Sequence, residues 1–245
     1  MIREKKAEGF ENEQFFVVSN LFLTDYLKNP YPHSLLITLM GYFPRALNHY
    51  MKRPEGCGTA LLIYCGAGSG FYSINGSPAK TLSAGQLVIL PPHTPHEYGA
   101  SEDKPWSIYW VHFKGPFYPP FYKAVSPYFP VSTGDIMGDR IKGIFNRCFC
   151  LLQLPYQKEE YFYLCQMVSV MLSIIPCTVK QSTIGLTLDG SEGIERAIGF
   201  MRSHLHKRIT GAELAEYTHF SSNLPVRDIA LTYGIEDPYY FLVRE

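Results

Sequence analysis

The fold is decided by the stretch LSAGQLVILPPHTPHEYGASEDKPWSIYWVHFKG, which covers residues 82–115. Its first apolar run, residues 87–90, lies between Gly85 and the pair Pro91 and Pro92, which predicts a short buried strand between two turns. Residues 106–113 are mostly aromatic or β-branched, a composition typical of a strand. We interpret the stretch as the back half of a small β-barrel.

The second of these strands has two largely apolar faces. Successive side chains of a strand point to opposite sides, so the even-numbered residues from Trp106 to His112 share one face. The odd-numbered residues from Tyr109 to Phe113 share the other. We expect one of the two faces to line a cavity inside the barrel.

Short apolar segments on both sides of this stretch extend the barrel. Each is bounded by Gly, Pro, Asn or Ser, and Asn75 followed by Gly76 is a signal for a type I′ hairpin. The predicted strands cover residues 35–40, 47–51, 60–65, 70–74, 81–82, 86–90 and 107–113. This spacing predicts an antiparallel all-β jelly-roll barrel over residues 35–130. Residues 1–34 are predicted to form an N-terminal arm with a first short strand.

A helical pattern follows the barrel at residues 131–176. Two amphipathic helices are predicted at 136–154 and 159–175, and together they form a helical hairpin. Their apolar stripes suit either a cap on the barrel or a dimer interface, and the sequence alone does not decide between them. Pro176 is expected to end the second helix, and residues 177–192 are interpreted as a linker.

The C-terminal part, residues 193–245, is predicted to be all-α. Thr210 and Glu213 have the spacing of a capping box, which marks the start of a helix. Residues 226–241 give a helix, a turn at Gly234 and a second helix. Asp237 and Pro238 are suited to its first positions. This order of elements is typical of a helix-turn-helix.

The composition indicates a folded globular protein. Of its 245 residues 46% are hydrophobic and 18% are charged, which argues against a disordered chain. The 22 basic and 22 acidic residues cancel, so only a local basic face would favour nucleic acid. The six cysteines lack CxxC spacing and are interpreted as reduced thiols. No signal-peptide pattern or run of about 18 apolar residues is present, so we expect a cytoplasmic protein without a membrane partner.

Both halves of the chain resemble the AraC/XylS family of bacterial transcription regulators. Residues 227–241, RDIALTYGIEDPYYF, resemble the second helix-turn-helix of that family, and residues 213–221 are similar to the start of the first. The barrel resembles the cupin-type sensor domain of its sugar-responsive members at residues 53–56, 82–92, 96–98 and 106–113. The resemblance implies a ligand-responsive regulator that binds DNA as a homodimer and takes a sugar or related molecule as its effector.

The resemblance also implies which residues contact the effector. They are Arg53, Tyr98 and Trp110, with Ile108 in place of a polar contact residue. We also predict His96 as an effector-binding residue. Such residues suit a sugar, because an arginine donates hydrogen bonds to hydroxyls and an aromatic ring covers the C–H faces. Two other interpretations remain open. Trp110 could be an ordinary core residue, and Arg53 could belong to a surface ion pair.

For DNA contact the predicted residues all lie in the second motif: Arg227, Tyr239, Tyr240 and Arg244. The resemblance places the recognition helices of the two motifs in successive major grooves. The family pattern is nevertheless incomplete in this sequence. Too few residues precede position 222 for a whole first motif, and residues 242–245 replace the family's basic recognition helix. We therefore expect segments to be missing at 221/222 and after 241.

A metal-dependent cupin enzyme of the sugar isomerase type is the alternative function. Cupin enzymes hold a metal through clustered histidines and a carboxylate, and the candidates here are His93, His96, His112 and Glu97. Positions 93 and 96 would face opposite ways on one strand, which argues against a shared metal. We therefore expect no metal, no cofactor and no catalytic residue.

Overall fold

The computed structural model describes residues 4–153 and 157–184, together with the helical residue Glu213. The chain divides into two compact units, Met1–Val179 and Lys180–Glu245. The expectations for residues 193–245, including the DNA-contacting residues and the missing segments, lie outside the described residues. In the part of the chain that is described, no helix is both long and apolar enough to cross a membrane.

The first unit is built on short antiparallel strands. Within the described residues they are β1 (Gln14–Val17), β2 (Leu36–Phe43), β3 (Tyr50–Arg53), β4 (Ala60–Ala67), β5 (Ser69–Ile74), β6 (Lys80–Ser83), β7 (Gln86–Leu90), β8 (His96–Ala100), β9 (Ser107–Lys114) and β10 (Val131–Ser132). They form a sheet in the order β1-β2-β9-β4-β7-β10 and a second sheet in the order β3-β8-β5-β6. The predicted all-β cupin-like barrel is therefore confirmed.

Strand β9 lies in the middle of the larger sheet and is buried on both faces. It pairs with β2 on one side and with β4 on the other. Ile108 and Trp110 join the core cluster between the two sheets, whereas Val111 and Phe113 join a separate cluster on the outer face. The predicted alternation of two apolar faces is thus confirmed, and each face packs against a different layer.

Helices cover the outer face of the larger sheet. They are α1 (Asn20–Tyr26), α2 (Tyr118–Val125), α3 (Gly134–Leu152) and α4 (Lys158–Ile184). The apolar stripe of α4 is buried in the outer cluster, and the hydroxyl of Tyr161 donates a hydrogen bond of 2.7 Å to the carbonyl of Ile37. The stripes of the predicted hairpin therefore cap the barrel.

The predicted helix end at Pro176 is wrong, since α4 continues to Ile184. A proline inside a helix removes one hydrogen bond and strains the preceding turn, but packing can offset that cost. Ile175 and Val179, one turn apart across the proline, are both buried in the outer cluster. The first part of the predicted linker, up to residue 184, is consequently helical.

Strand β8 is absent from the strands predicted from the sequence. His96 and Tyr98 are buried, whereas Glu97 between them is half-buried and lies 3.6 Å from the ammonium of Lys52. Burial therefore alternates along residues 96–98 as in an ordinary strand, but the buried residues are polar or aromatic and not aliphatic. His93 has a positive φ of 52° and lies in the turn before β8, not on it.

Packing against Trp106 gives a test of the fold. Gly70 on β5 faces the fully buried indole of Trp106, and a Cβ at this position would overlap that ring. We predict that Gly70→Ala lowers the free energy of unfolding by about 1–3 kcal/mol through overpacking. Urea unfolding of the full chain measures the change.

Gly143→Ala is the matched control. Gly143 lies in α3, and a Cβ there would meet open space, so alanine should stabilise the helix by up to about 1 kcal/mol. Equal effects of the two substitutions would contradict the packing assigned to Trp106.

Candidate functional site

A cavity of about 120 Å³ lies between the two sheets. The N-terminal arm contributes Ala7, Glu8 and Phe15 to its lining. The strands and the segment before β3 contribute the remaining lining residues: Leu39, Phe43, His49, Met51, Arg53, Leu61, Ile63, Tyr98, Ile108, Trp110 and His112. The walls are thus mostly apolar and carry a few polar groups, as is usual for small-molecule sites.

Strand β9 supplies the longest run of this lining. Its alternation directs Ile108, Trp110 and His112 to the cavity side. Gly41 of β2 pairs with Trp110, and a Cβ on this glycine would overlap the indole. The ring of Phe43 lies 5.3 Å from that of Trp110. The absence of a side chain at Gly41 therefore allows the indole to lie against the sheet beside the cavity.

Arg53 and Tyr98 come from the neighbouring strands β3 and β8 of the smaller sheet. Burial raises the pKa of Tyr98 to about 12, although the charge of Arg53 and a hydrogen bond to it oppose that rise. Tyr98 is therefore a neutral phenol at neutral pH. The Nε of Arg53 and the Nε1 of Trp110 are buried, and within the described residues neither has a hydrogen-bond partner.

Three buried histidines surround these residues. Burial lowers the pKa of His49 to about 4, and its Nδ1 accepts a hydrogen bond of 3.1 Å from the indole of Trp106. Burial, and next the charge of Arg53, lower the pKa of His112 to about 4. The pKa of His96 is lowered chiefly by burial, while its Nδ1 donates to the carbonyl of Thr94 at 2.8 Å. All three rings are thus neutral at neutral pH.

The arm is tied down beside the cavity. Lys6 forms a parallel bridge with His49, since its amide donates to the carbonyl of Asn48 and its carbonyl accepts from the amide of Tyr50. The ring of Phe10 is buried 5.3 Å from the ring of His49. The arm is therefore a wall of the cavity in this structure.

The structure brings three of the four predicted effector-binding residues to one cavity. Arg53, Tyr98 and Trp110 line it together with Ile108. His96 is not among the lining residues, but its ring is stacked 6.1 Å from that of Tyr98. Whether these side chains contact an effector stays a prediction.

Sequence reasoning missed most of the apolar lining. The residues concerned lie on the cavity side of other strands: Leu39 and Phe43 on β2, Met51 on β3, and Leu61 and Ile63 on β4. Alternation from Arg53 would have indicated Met51, because the two are on the same face of β3. Within the described residues, no group of three or more His, Cys, Asp or Glu is placed to hold a metal ion.

The chain matches the AraC-like ligand binding domain family over residues 36–159. The MmsAB operon regulatory protein of Pseudomonas aeruginosa is 26% identical over 204 residues, which are 79% of this chain and 62% of that relative. The raffinose operon transcriptional regulatory protein RafR of Pediococcus pentosaceus is 40% identical over 53 residues, 22% of this chain and 19% of that relative. The chain thus spans less than two thirds of these curated relatives.

Among solved structures, a cupin-like protein of Thermotoga maritima is similar with 19% identity and a TM-score of 0.29. The matched part covers 47% of this chain and 81% of that protein.

The buried histidines predict a pH dependence of stability. The pKa of His49 is about 4 in the folded protein and 6.5 as the ordinary value, so the unfolded state binds more protons between these limits. Stability should therefore fall by up to about 3 kcal/mol on account of His49 as the pH drops from 6.5 to 4. In His49→Gln the amide oxygen still accepts from Trp106 but does not titrate. Unfolding free energies measured across this range should fall less steeply in the variant, and parallel profiles would contradict the burial of a neutral His49.

Proposed function

The chain belongs to the AraC-like ligand binding domain family, and from this we propose that it is a ligand-responsive, sequence-specific DNA-binding transcription regulator. The barrel at 35–130 binds a small effector, and residues 193–245 bind DNA. Both curated relatives are named as operon regulators, which supports a regulatory role. The effector is bound without being converted, and the protein acts in the cytoplasm.

The cavity between the sheets is the observation that carries this proposal. Its walls are mostly apolar, and two of its lining residues, Arg53 and Trp110, each have a buried donor without a partner among the described residues. A buried polar group without a partner costs about 1–3 kcal/mol, so a ligand that accepts these hydrogen bonds recovers that energy. Such a cavity is suited to binding one small molecule with defined orientation.

A carbohydrate or related small molecule is the proposed effector class. The indole of Trp110 provides a flat apolar surface for C–H groups, and the guanidinium of Arg53 provides hydrogen bonds for oxygen atoms. The half-buried position of Arg53 at the cavity supports this role over that of a surface ion pair.

DNA binding is proposed for the C-terminal part, with Arg227, Tyr239, Tyr240 and Arg244 as contact residues. The protein would act as a homodimer, so that two DNA-binding parts reach two half-sites. In the hairpin proposed as the dimer interface, residues 131–176, α4 exposes Tyr163 and Val170. These residues are two helical turns apart and share a face, which supports this assignment. Residues 177–192 would contain the connection to the DNA-binding part.

The arm is the proposed link between effector and DNA. A ligand shifts an equilibrium only through its different affinity for the two states. Ala7, Glu8 and Phe15 line the cavity, so an effector in the cavity contacts the arm only when the arm is in place. Effector binding would therefore favour the docked arm and change which surfaces are available to the rest of the protein.

The first functional test uses the full chain. DNA ligands are selected from a random-sequence library, and sugars and related small molecules are screened by thermal shift. We predict that Trp110→Ala weakens binding of the effector at least about tenfold, because about 1.4 kcal/mol of contact energy is lost. Effector-free DNA affinity, measured by fluorescence anisotropy, should stay within about twofold.

Tyr109→Phe is the control, because Tyr109 lies on the opposite face of the same strand and packs against the outer cluster. It should bind effector as the wild type does. Unchanged effector affinity in Trp110→Ala would show that the indole is only a core residue. Failure to select any DNA would contradict the regulatory function.

The second test removes residues 1–14. This deletion takes away the Lys6 bridge, the ring of Phe10 and two lining residues of the cavity. It should weaken effector binding and abolish the effector-dependent change in DNA affinity. Deletion of residues 1–3 is the control, because it leaves Lys6 and Phe10 in place. If the longer deletion keeps full effector affinity and a normal response, the arm is passive.

A further inference from the structure

We propose that the effector is an organic carboxylate and that its carboxylate group pairs with Arg53. This inference rests on the proposed effector-binding function and narrows the class of ligand. The argument comes from the charge and hydrogen bonding inside the cavity, where a permanent cation is placed without a counter-ion among the described residues.

The guanidinium of an arginine is a cation that only donates hydrogen bonds. The Nε of Arg53 is excluded from solvent and finds no hydrogen-bond partner within residues 4–153 and 157–184. The ion pairs of the described residues involve Lys28, Lys52, Lys142 and Lys158, and none involves Arg53. Tyr98 accepts a hydrogen bond from the guanidinium but is a neutral phenol. The half-buried cation therefore has no counter-ion among the described residues, and the site favours an anion.

No neighbouring side chain provides that anion. His49 and His112 are neutral at neutral pH because their pKa values are about 4. Tyr98 is a neutral phenol with a pKa of about 12. Glu8 is the carboxylate among the lining residues, but it is exposed and forms no ion pair with a described residue. Arg53 therefore has no ion-paired carboxylate among the described lining residues.

A second buried donor also favours a ligand that accepts hydrogen bonds. Trp110 lines the cavity, and its Nε1 has no hydrogen-bond partner among the described residues. An indole N–H and a guanidinium only donate, so their common partner must accept. A carboxylate only accepts and has two oxygens, whereas a sugar hydroxyl also carries a proton that needs an acceptor.

The number of charges distinguishes a carboxylate from a phosphate ester. Arg53 is the cation among the described lining residues, and one carboxylate neutralises one guanidinium. A phosphate monoester carries about 1.5 to 2 negative charges at pH 7 and would remain partly uncompensated. The apolar walls formed by Leu61, Ile63 and Ile108 would receive the carbon part of the acid.

The test compares acids with matched neutral molecules on the full chain. The pairs are glucuronate with glucose, galacturonate with galactose, and lactate with lactamide, and glucose 6-phosphate is added as a phosphate ester. Binding is measured by calorimetry and thermal shift at constant ionic strength. We expect at least one carboxylate to bind about tenfold or more tightly than its neutral partner.

Variants assign the effect to Arg53. Arg53→Gln should weaken binding of that carboxylate about 10- to 100-fold, to near the affinity of its neutral partner. Arg53→Lys keeps the positive charge and should weaken binding of the carboxylate less than Arg53→Gln does. Lys52→Gln is the control, because Lys52 is exposed on the neighbouring position of β3 and should leave binding unchanged.

The inference is overturned if a neutral molecule binds as tightly as its acid, if Arg53→Gln keeps full affinity for the acid, or if no carboxylate of the panel binds. Preference for glucose 6-phosphate would overturn it in favour of a phosphate ester. A neutral sugar that binds and alters DNA affinity would overturn only this inference, while the proposed regulatory function would stand. If the chain selects no DNA, the regulatory function fails instead.

Discussion

Strand β9 is buried on both faces. The core between the two sheets packs on one of these faces, and the helical cap packs on the other. The backbone of β9 pairs with β2 and β4, so the polar groups of the strand are satisfied inside the sheet. Ile108 and Trp110 then wall the cavity, while Val111 and Phe113 anchor the outer cluster beneath the helices. One strand therefore supplies a wall of the site on one face and the base of the helical cap on the other.

The site combines apolar walls with polar atoms that the protein leaves unpaired. Interior donors are normally satisfied in native proteins, and two of the exceptions among the described residues, the Nε of Arg53 and the Nε1 of Trp110, belong to residues that line the cavity. Burial holds His49 and His112 neutral, so these rings add no positive charge beside Arg53. The docked arm completes the wall, and in the proposed mechanism ligand binding favours this position of the arm.

The sequence predicted the parts of the fold that local patterns encode. The alternation of side chains along the strand predicted both apolar faces of β9. The helical spacing of apolar residues predicted the buried stripe of α4. Strand β8 was missed because His96 and Tyr98, although buried, are not aliphatic. Leu61 and Ile63 were missed as lining residues because the cavity forms only when two sheets meet. The helix end predicted at Pro176 was wrong because local propensity is weaker than the packing of Ile175 and Val179.

The central claim, that a small effector binds in the cavity beneath the docked arm, is tested most directly by amide hydrogen exchange. The amides of Lys6 and Tyr50 form the hydrogen bonds that hold the arm against the segment before β3. Saturating effector should slow exchange at both amides more than at the amide of Tyr161 in the helical cap. Unchanged exchange at Lys6 and Tyr50 with the effector bound would contradict the account.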